Sequence, residues 1–329
     1  IEAILAVDEP VAAPAAAIET RNLTKRYGTL TAVDDLTFRI EPGQLYGFIG
    51  PNGAGKTTTI RMLAGLLPPT SGQILIQGED ISDDPHRARW LVGYMPDFFG
   101  VYEDMKVWEY LDFFARCYQM PPDKRAATID DLLHLVDLSS RREAFVESLS
   151  RGMRQRLCLA HALVHDPAIL LLDEPASGLD PRARIEMREL LRELGRMGKT
   201  VLISSHILAE LAEMCDAVAI IERGKLLASG SVGDIARMAR ADRMLLVELL
   251  AWSAGADVER AVEVLRAHEG VQDVIVTEKG LEVPFSGDDA SASSLLRHLV
   301  EQGVAVLSFG EATSDLEEIF LSVTKGEVQ

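Results

Sequence analysis

Two short runs in this 329-residue chain carry residues fit to grip phosphate, one at residues 50–57 and one at 149–153. The first reads GPNGAGKT: Gly50, Pro51, Asn52, Gly53, Ala54, Gly55, Lys56 and Thr57, with Thr58 following. Gly50, Gly53 and Gly55 permit backbone conformations and close approaches that a Cβ denies, so successive N–H groups can face phosphate oxygens. Lys56 is placed to reach β- and γ-phosphates, and the Thr57 hydroxyl to meet Mg²⁺. The second run, LSRGM, puts Ser150 where a helix N-cap belongs, ahead of Leu157, Leu159, Ala160 and Leu163. Ser150 and the Gly152 amide make a second anion site there. On its residues alone this run is equally an ordinary capped helix.

Two acids stand downstream, at the end of ILLLDEP over residues 169–175. The apolar run suits a strand buried on both faces, so Asp173 and Glu174 at its end are not burial choices. Asp173 is placed to hold Mg²⁺ through its water shell. Glu174 is placed to polarise a water attacking a γ-phosphate.

The elements that must position these groups follow from periodicity. Leu45, Tyr46, Phe48 and Ile49 suit a buried strand, and Ile60, Leu63 and Leu67 recur with helical spacing. The Gly-rich loop therefore joins a strand end to a helix start, where the helix adds partial positive charge.

With these motifs in place, the chain resembles the ATP-binding subunits of ABC transporters. The matching segments are Tyr27, GPNGAGKTT, LSRGMRQR, ILLLDEP, SGLD from Ser177 and SSH from Ser204, in the family's order over about residues 18–235. The resemblance implies an α/β fold: a P-loop NTPase of ABC type with an antiparallel β subdomain and a helical subdomain at about 100–165. It implies ATP and Mg²⁺ as ligands, with Tyr27 stacked on adenine and His206 on the γ-phosphate. It also implies that Ser150, Arg151, Gly152, Met153 and Asp180 serve the nucleotide of a second copy, so that two chains sandwich two ATP molecules. One kind of chain carrying the whole set makes a homodimer the simplest assembly.

Two positions depart from the family's pattern. Arg151 and Met153 replace a glycine and a glutamine of the usual LSGGQ. Asp97 in GYMPDFFGVY stands where the family has glutamine. A carboxylate can still bind Mg²⁺ or the attacking water, but it cannot donate an amide hydrogen bond. Asp97 therefore joins Glu174 and His206 as a candidate catalytic residue, and joins Thr57 and Asp173 as a candidate metal ligand.

Composition bounds the rest. At 47% hydrophobic and 26% charged, the chain is globular. Its formal net charge of −18 disfavours nucleic acid as a partner, since phosphate backbones are bound by basic faces. Cys117, Cys158 and Cys215 are far apart, which argues against disulfides or zinc and for a reducing compartment. No apolar stretch approaches the roughly 20 residues that span a bilayer. The expected location is cytoplasmic, against the inner face of the membrane through a separate integral-membrane permease. In the family, the segment 100–120 receives that permease. Its aromatics Tyr102, Trp108, Tyr110, Phe113 and Phe114 divide between core and docking groove.

Residues 1–17, Ala- and Pro-rich, read as a flexible leader, with the ATPase domain over 18–240. From 241 to 329 the spacing predicts βαββαβ, a small α+β ferredoxin-like domain, closed by a helix at 315–323. This domain resembles the accessory region of type-two ABC exporters and carries no catalytic set. Export is the expected direction. An importer subunit and a soluble non-transport ABC ATPase share the same motifs.

Overall fold

A computed structural model describes residues 15–98, 100, 104–239, 243–250, 255–277 and 280–311. The expected closing helix at 315–323, most of the expected leader, and Tyr102 lie outside these. The chain divides into two compact units at Ser229/Gly230, upstream of the 240/241 position at which the motif pattern ends.

The first unit begins with β1 (Ile18–Tyr27) and β2 (Leu30–Ile40), then β3 (Leu45–Ile49), the Gly-rich loop and α1 (Lys56–Leu63). Next come β4 (Ser71–Ile76), β5 (Glu79–Asp80), α2 (Pro85–Leu91) and β6 (Val92–Met95). Three helices follow: α3 (Val107–Cys117), α4 (Pro122–Leu135) and α5 (Arg151–Leu163). The unit is completed by β7 (Ile169–Asp173), α6 (Pro181–Arg196), β8 (Thr200–Ser205), α7 (Leu208–Ala212), β9 (Ala217–Glu222) and β10 (Lys225–Ser231).

Two sheets result, one ordered β2-β1-β4-β5 with antiparallel pairs, the other ordered β10-β9-β3-β8-β7-β6. In the second, β3 pairs in parallel with β8 and β9, and β7 with β6 and β8. Every residue of β3, β7 and β8 is buried, which explains the near-unbroken apolar runs: helices cover both faces of a parallel sheet. The Gly-rich loop follows the carboxyl end of β3, and Asp173 and Glu174 stand at the carboxyl end of β7, where α/β sheets open their crevices. Phe38 joins the sheets, its ring 6.1 Å from Tyr46 and 5.5 Å from Phe48.

The helical layer expected at about 100–165 is α3, α4 and α5, which pack on one another. Val107, Tyr110, Leu111 and Ala115 are the buried stripe of α3, at the i, i+3, i+4 spacing of an amphipathic helix. Tyr110 therefore belongs to the core. Phe113 on the other side is 40% exposed. Phe114 stacks on His161 of α5 at 3.6 Å, and Tyr118 on His165 at 3.9 Å. The expected leader ends earlier than residue 17: Ala16 and Ala17 are buried, and Ala17 donates to Ile40 O at 2.9 Å. Small side chains beside a strand edge let the backbone extend the sheet's pairing.

The second unit holds α8 (Val232–Ala239), β11 (Arg243–Leu249), α9 (Gly255–Arg266), β12 (Ile275–Val276), β13 (Leu281–Phe285), α10 (Asp289–Glu301) and β14 (Val306–Glu311). Its strands order as β12-β13-β11-β14, all antiparallel, which is the ferredoxin-like arrangement of a βαββαβ chain. Leu245, Val247, Leu265, Phe285, Leu295 and Leu299 form its separate core. The strand β12 is only two paired residues long, and Val271 upstream of it makes an isolated bridge to Phe285. Among the described residues no helix is long and apolar enough to cross a membrane.

Candidate functional site

The Gly-rich loop turns as its sequence requires. Gly55 caps α1 with φ 103°, and a Cβ there would lie 2.5 Å from Ala32 O. Gly50 is confined differently: a Cβ would lie 2.5 Å from Ile221 O. Only glycine meets either demand. Beside the loop is a cleft of about 500 Å³ lined by Tyr27, Leu30, Ala32, residues 51–58, Asp97, Glu174, Ser177 and His206.

At the inner end of the cleft, Lys56 is buried and its Nζ donates to Gly50 O at 2.7 Å and Pro51 O at 3.4 Å. The same ammonium pairs with Glu174 Oε1 at 3.3 Å. The other oxygen of Glu174 lies 2.9 Å from His206 Nδ1. Glu174 itself has φ 50°, left-handed for a non-glycine residue, a strained backbone that turns its carboxylate from the strand into the cleft. Ser204 of β8 holds the pair of acids, donating to Asp173 Oδ1 at 2.7 Å and accepting from Glu174 N at 3.0 Å. Asp173 is 1% exposed, yet its Oδ2 has no hydrogen-bond partner.

That orphaned oxygen is where a hydrated cation fits, since a buried carboxylate oxygen without a partner is costly. Among the described residues there is no group of three or more His, Cys, Asp or Glu side chains able to hold a metal by themselves. A metal here would be held mostly by phosphate and water, the habit of Mg²⁺.

Asp97 faces this cluster. Burial raises its carboxyl above the usual range, and the charges of Asp173 and Glu174 raise it further. Arg151 and His206 act in the opposite sense. Tyr27, 48% exposed at the cleft's outer edge, carries Lys25 Nζ 5.3 Å from its ring centre.

The second grip is built, but elsewhere. Ser150 caps α5, accepting from Met153 N at 3.3 Å. Asp180 caps α6, accepting from Arg182 N at 3.0 Å and Ala183 N at 2.9 Å. None of Ser150, Arg151, Gly152, Met153 and Asp180 lines the cleft. Gly152 packs against α6, where a Cβ would lie 3.1 Å from that of Ala183.

Residues 33–177 match the family model described as ABC transporter. The chain is 44% identical over 218 residues to a Burkholderia lata protein named Nod factor export ATP-binding protein I, covering 66% of this chain and 72% of that one. The chain belongs to the family of ABC transporter ATP-binding proteins. It is also 36% identical over 316 residues to an uncharacterized ABC transporter ATP-binding protein, YhcH, of Bacillus subtilis, covering 95% of this chain and 98% of that one. A solved ATP-binding subunit of an ABC transporter superposes with a TM-score of 0.61 at 32% identity, over 68% of this chain and 92% of that one.

Two features of this ABC ATPase escape a residue-by-residue reading. Ser204 stands in the SSH segment, yet its role appears only when β7 and β8 lie side by side with Asp173 opposite Ser204. Leu30 and Ala32 line the cleft from β2 with no motif to mark them. The three cysteines are free, Cys158 and Cys215 buried with thiols pushed up by desolvation.

Proposed function

We propose that this ABC ATPase hydrolyses ATP between two copies of itself and drives export through a separate permease. The observation that carries the two-copy reading is that Ser150, Gly152 and Asp180 head α5 and α6 outside the lining of their own cleft. Anion-gripping helix starts that do not face one phosphate site are available to another. Tyr27 supplies a ring for adenine, residues 50–58 wrap the phosphates, and Lys56 neutralises the β–γ end. Asp173, Thr57 and Asp97 would hold Mg²⁺, which when bound neutralises charge on the β- and γ-oxygens.

Glu174 orients the attacking water and accepts its proton. The water oxygen bonds to the γ-phosphorus as the bond to the β-bridging oxygen breaks, releasing ADP and phosphate. His206 holds Glu174 through Nδ1 and keeps its other ring nitrogen for the γ-phosphate. ATP bound between copies favours the closed pair, and its hydrolysis removes that preference.

The relatives' name, Nod factor export ATP-binding protein I, supports export over import. Exposed Phe98, Phe113 and Phe145 supply apolar contacts suited to a protein partner, and the permease locates the ATPase at the cytoplasmic face of the membrane. The second unit supports the dimer or regulates it.

The test is Glu174→Gln. It should bind ATP, hydrolyse it at least about a hundredfold more slowly, the scale of a lost catalytic base, and accumulate as a dimer. Light scattering showing only monomer at saturating ATP would sink the two-copy reading.

A further inference from the structure

Arg151 and Asp97 are the two departures from the family's usual pattern that change charge, one adding a cation and the other an anion. They are 54 positions apart in sequence and on different elements. The fold brings Arg151 to the turn at Ser177, a residue that lines the same cleft as Asp97.

Arg151 opens α5, but its guanidinium does not extend away from its own chain. Nη2 donates to Ser177 O at 3.0 Å. The group lies over Gly178, φ 64°, where a Cβ would stand 2.4 Å from the guanidinium carbon. Ser177 lines the nucleotide cleft together with Asp97, Glu174 and His206. Its own N–H bonds Glu174 O at 3.0 Å, so Arg151 clasps the far end of the turn that begins at Glu174.

The electrostatics give that clasp a purpose. Asp97, Asp173 and Glu174 converge on a site that must also accept a polyanion, and Lys56 is already paired with Glu174. A neutral amide at position 97 would need no counter-charge. The carboxylate does, and Arg151 is within electrostatic reach of it.

We propose that Arg151 is a positioning residue for its own chain's nucleotide: by bonding the Ser177 carbonyl it fixes the Glu174 turn and holds a cation against a residue of the cleft that Asp97 lines, offsetting the negative charge of Asp97. This rests on the cleft being an ATP site, as proposed above. It adds a same-chain role for a residue whose motif points to the partner's nucleotide.

The experiment is ATP binding in EDTA, measured on the full chain diluted until light scattering shows monomer, so that no partner and no metal contribute. Binding by the unsubstituted chain tests the site itself, and its absence would refute that reading alone. Given binding, Arg151→Gln should weaken affinity about fivefold, and Arg151→Lys, which keeps the charge, should recover most of that loss. In an Asp97→Asn background the same Arg151→Gln change should cost less than about twofold, because the charge it offsets is gone.

Three outcomes would overturn the proposal: a full-sized loss in the Asp97→Asn background, equal losses for Lys and Gln, or unchanged monomer affinity with a defect confined to ATP-driven dimerisation. Thermal midpoints of the nucleotide-free variants separate misfolding from the effect sought. If Arg151→Gln does not fold, Arg151→Met, which also removes the charge, measured with and without Asp97→Asn carries the same coupling.

Discussion

Ser204 Oγ lies 2.7 Å from Asp173 Oδ1 and donates to it, while the same oxygen accepts the Glu174 N–H. One hydroxyl on β8 thereby orients the carboxylate that would meet the metal and fixes the backbone of Glu174, the proposed base. Removing it should leave Asp173 free to rotate. Ser204→Ala is expected to lower Mg²⁺ affinity in the presence of ATP by about tenfold, the usual scale for a residue that orients a metal ligand. Titrating Mg²⁺ against a fluorescent ATP analogue measures this. An unchanged midpoint would mean that β7 alone sets the carboxylate.

Gly55 and Gly53 separate two reasons for needing glycine. Both have positive φ, but a Cβ at Gly55 meets Ala32 O at 2.5 Å, whereas one at Gly53 meets nothing within 4 Å. Gly53→Ala carries only conformational strain of about 1 kcal/mol. Gly55→Ala adds a backbone clash at the cap of α1 and should lose at least about tenfold more ATP affinity, the equivalent of a further 1.4 kcal/mol. Equal losses by calorimetry would show that the clash is relieved by movement of β2.

Burial and the neighbouring His165 hold the His161 imidazole down to about 4, and His165 is likewise held near 4 by desolvation. In the unfolded chain such a ring takes its proton near pH 6.5. Between pH 6.5 and 4 the unfolded state therefore binds protons that the native state refuses. Stability from these rings is complete above pH 6.5, falls as pH drops toward 4, and levels below it. His161→Phe keeps a ring against Phe114 and removes one titration. Its urea midpoint should decline less steeply than the parent's across that window, and parallel declines would refute the assignment.

Tyr110 is 1% exposed, with its ring centre 5.0 Å from Phe114 and 5.9 Å from His161. It is the packing centre between α3 and α5. Tyr110→Ala should destabilise the fold by about 3–5 kcal/mol, the cost of emptying an aromatic site in a core. Equilibrium urea denaturation gives the number, and a loss below about 1 kcal/mol would place the ring outside the cooperative core.

What the sequence made legible was whatever its local chemistry over-determines. GPNGAGKT is legible as a turn because Gly53 and Gly55 take the positive φ that glycine favours. ILLLDEP announces a doubly buried strand ending in acids, and the LSRGM serine caps α5 as its position implies. The βαββαβ order of the second unit followed from periodicity alone. What stayed hidden depends on contacts between distant segments. The direction of Arg151 is set by Ser177 and Gly178, 26 and 27 positions on, and the burial of Ala16 and Ala17 by β2 and β4. No periodicity reports such neighbours.

The Lys56 ammonium donates to Gly50 O and Pro51 O and forms an ion pair with Glu174 Oε1. A phosphate oxygen arriving at this nitrogen competes for its charge with the Glu174 side chain rather than with the backbone carbonyls of the tight loop. Nucleotide arrival and release of the base are then a single exchange at one nitrogen. Such a site would work as an interlock, with its proposed base freed by the same event that delivers its substrate.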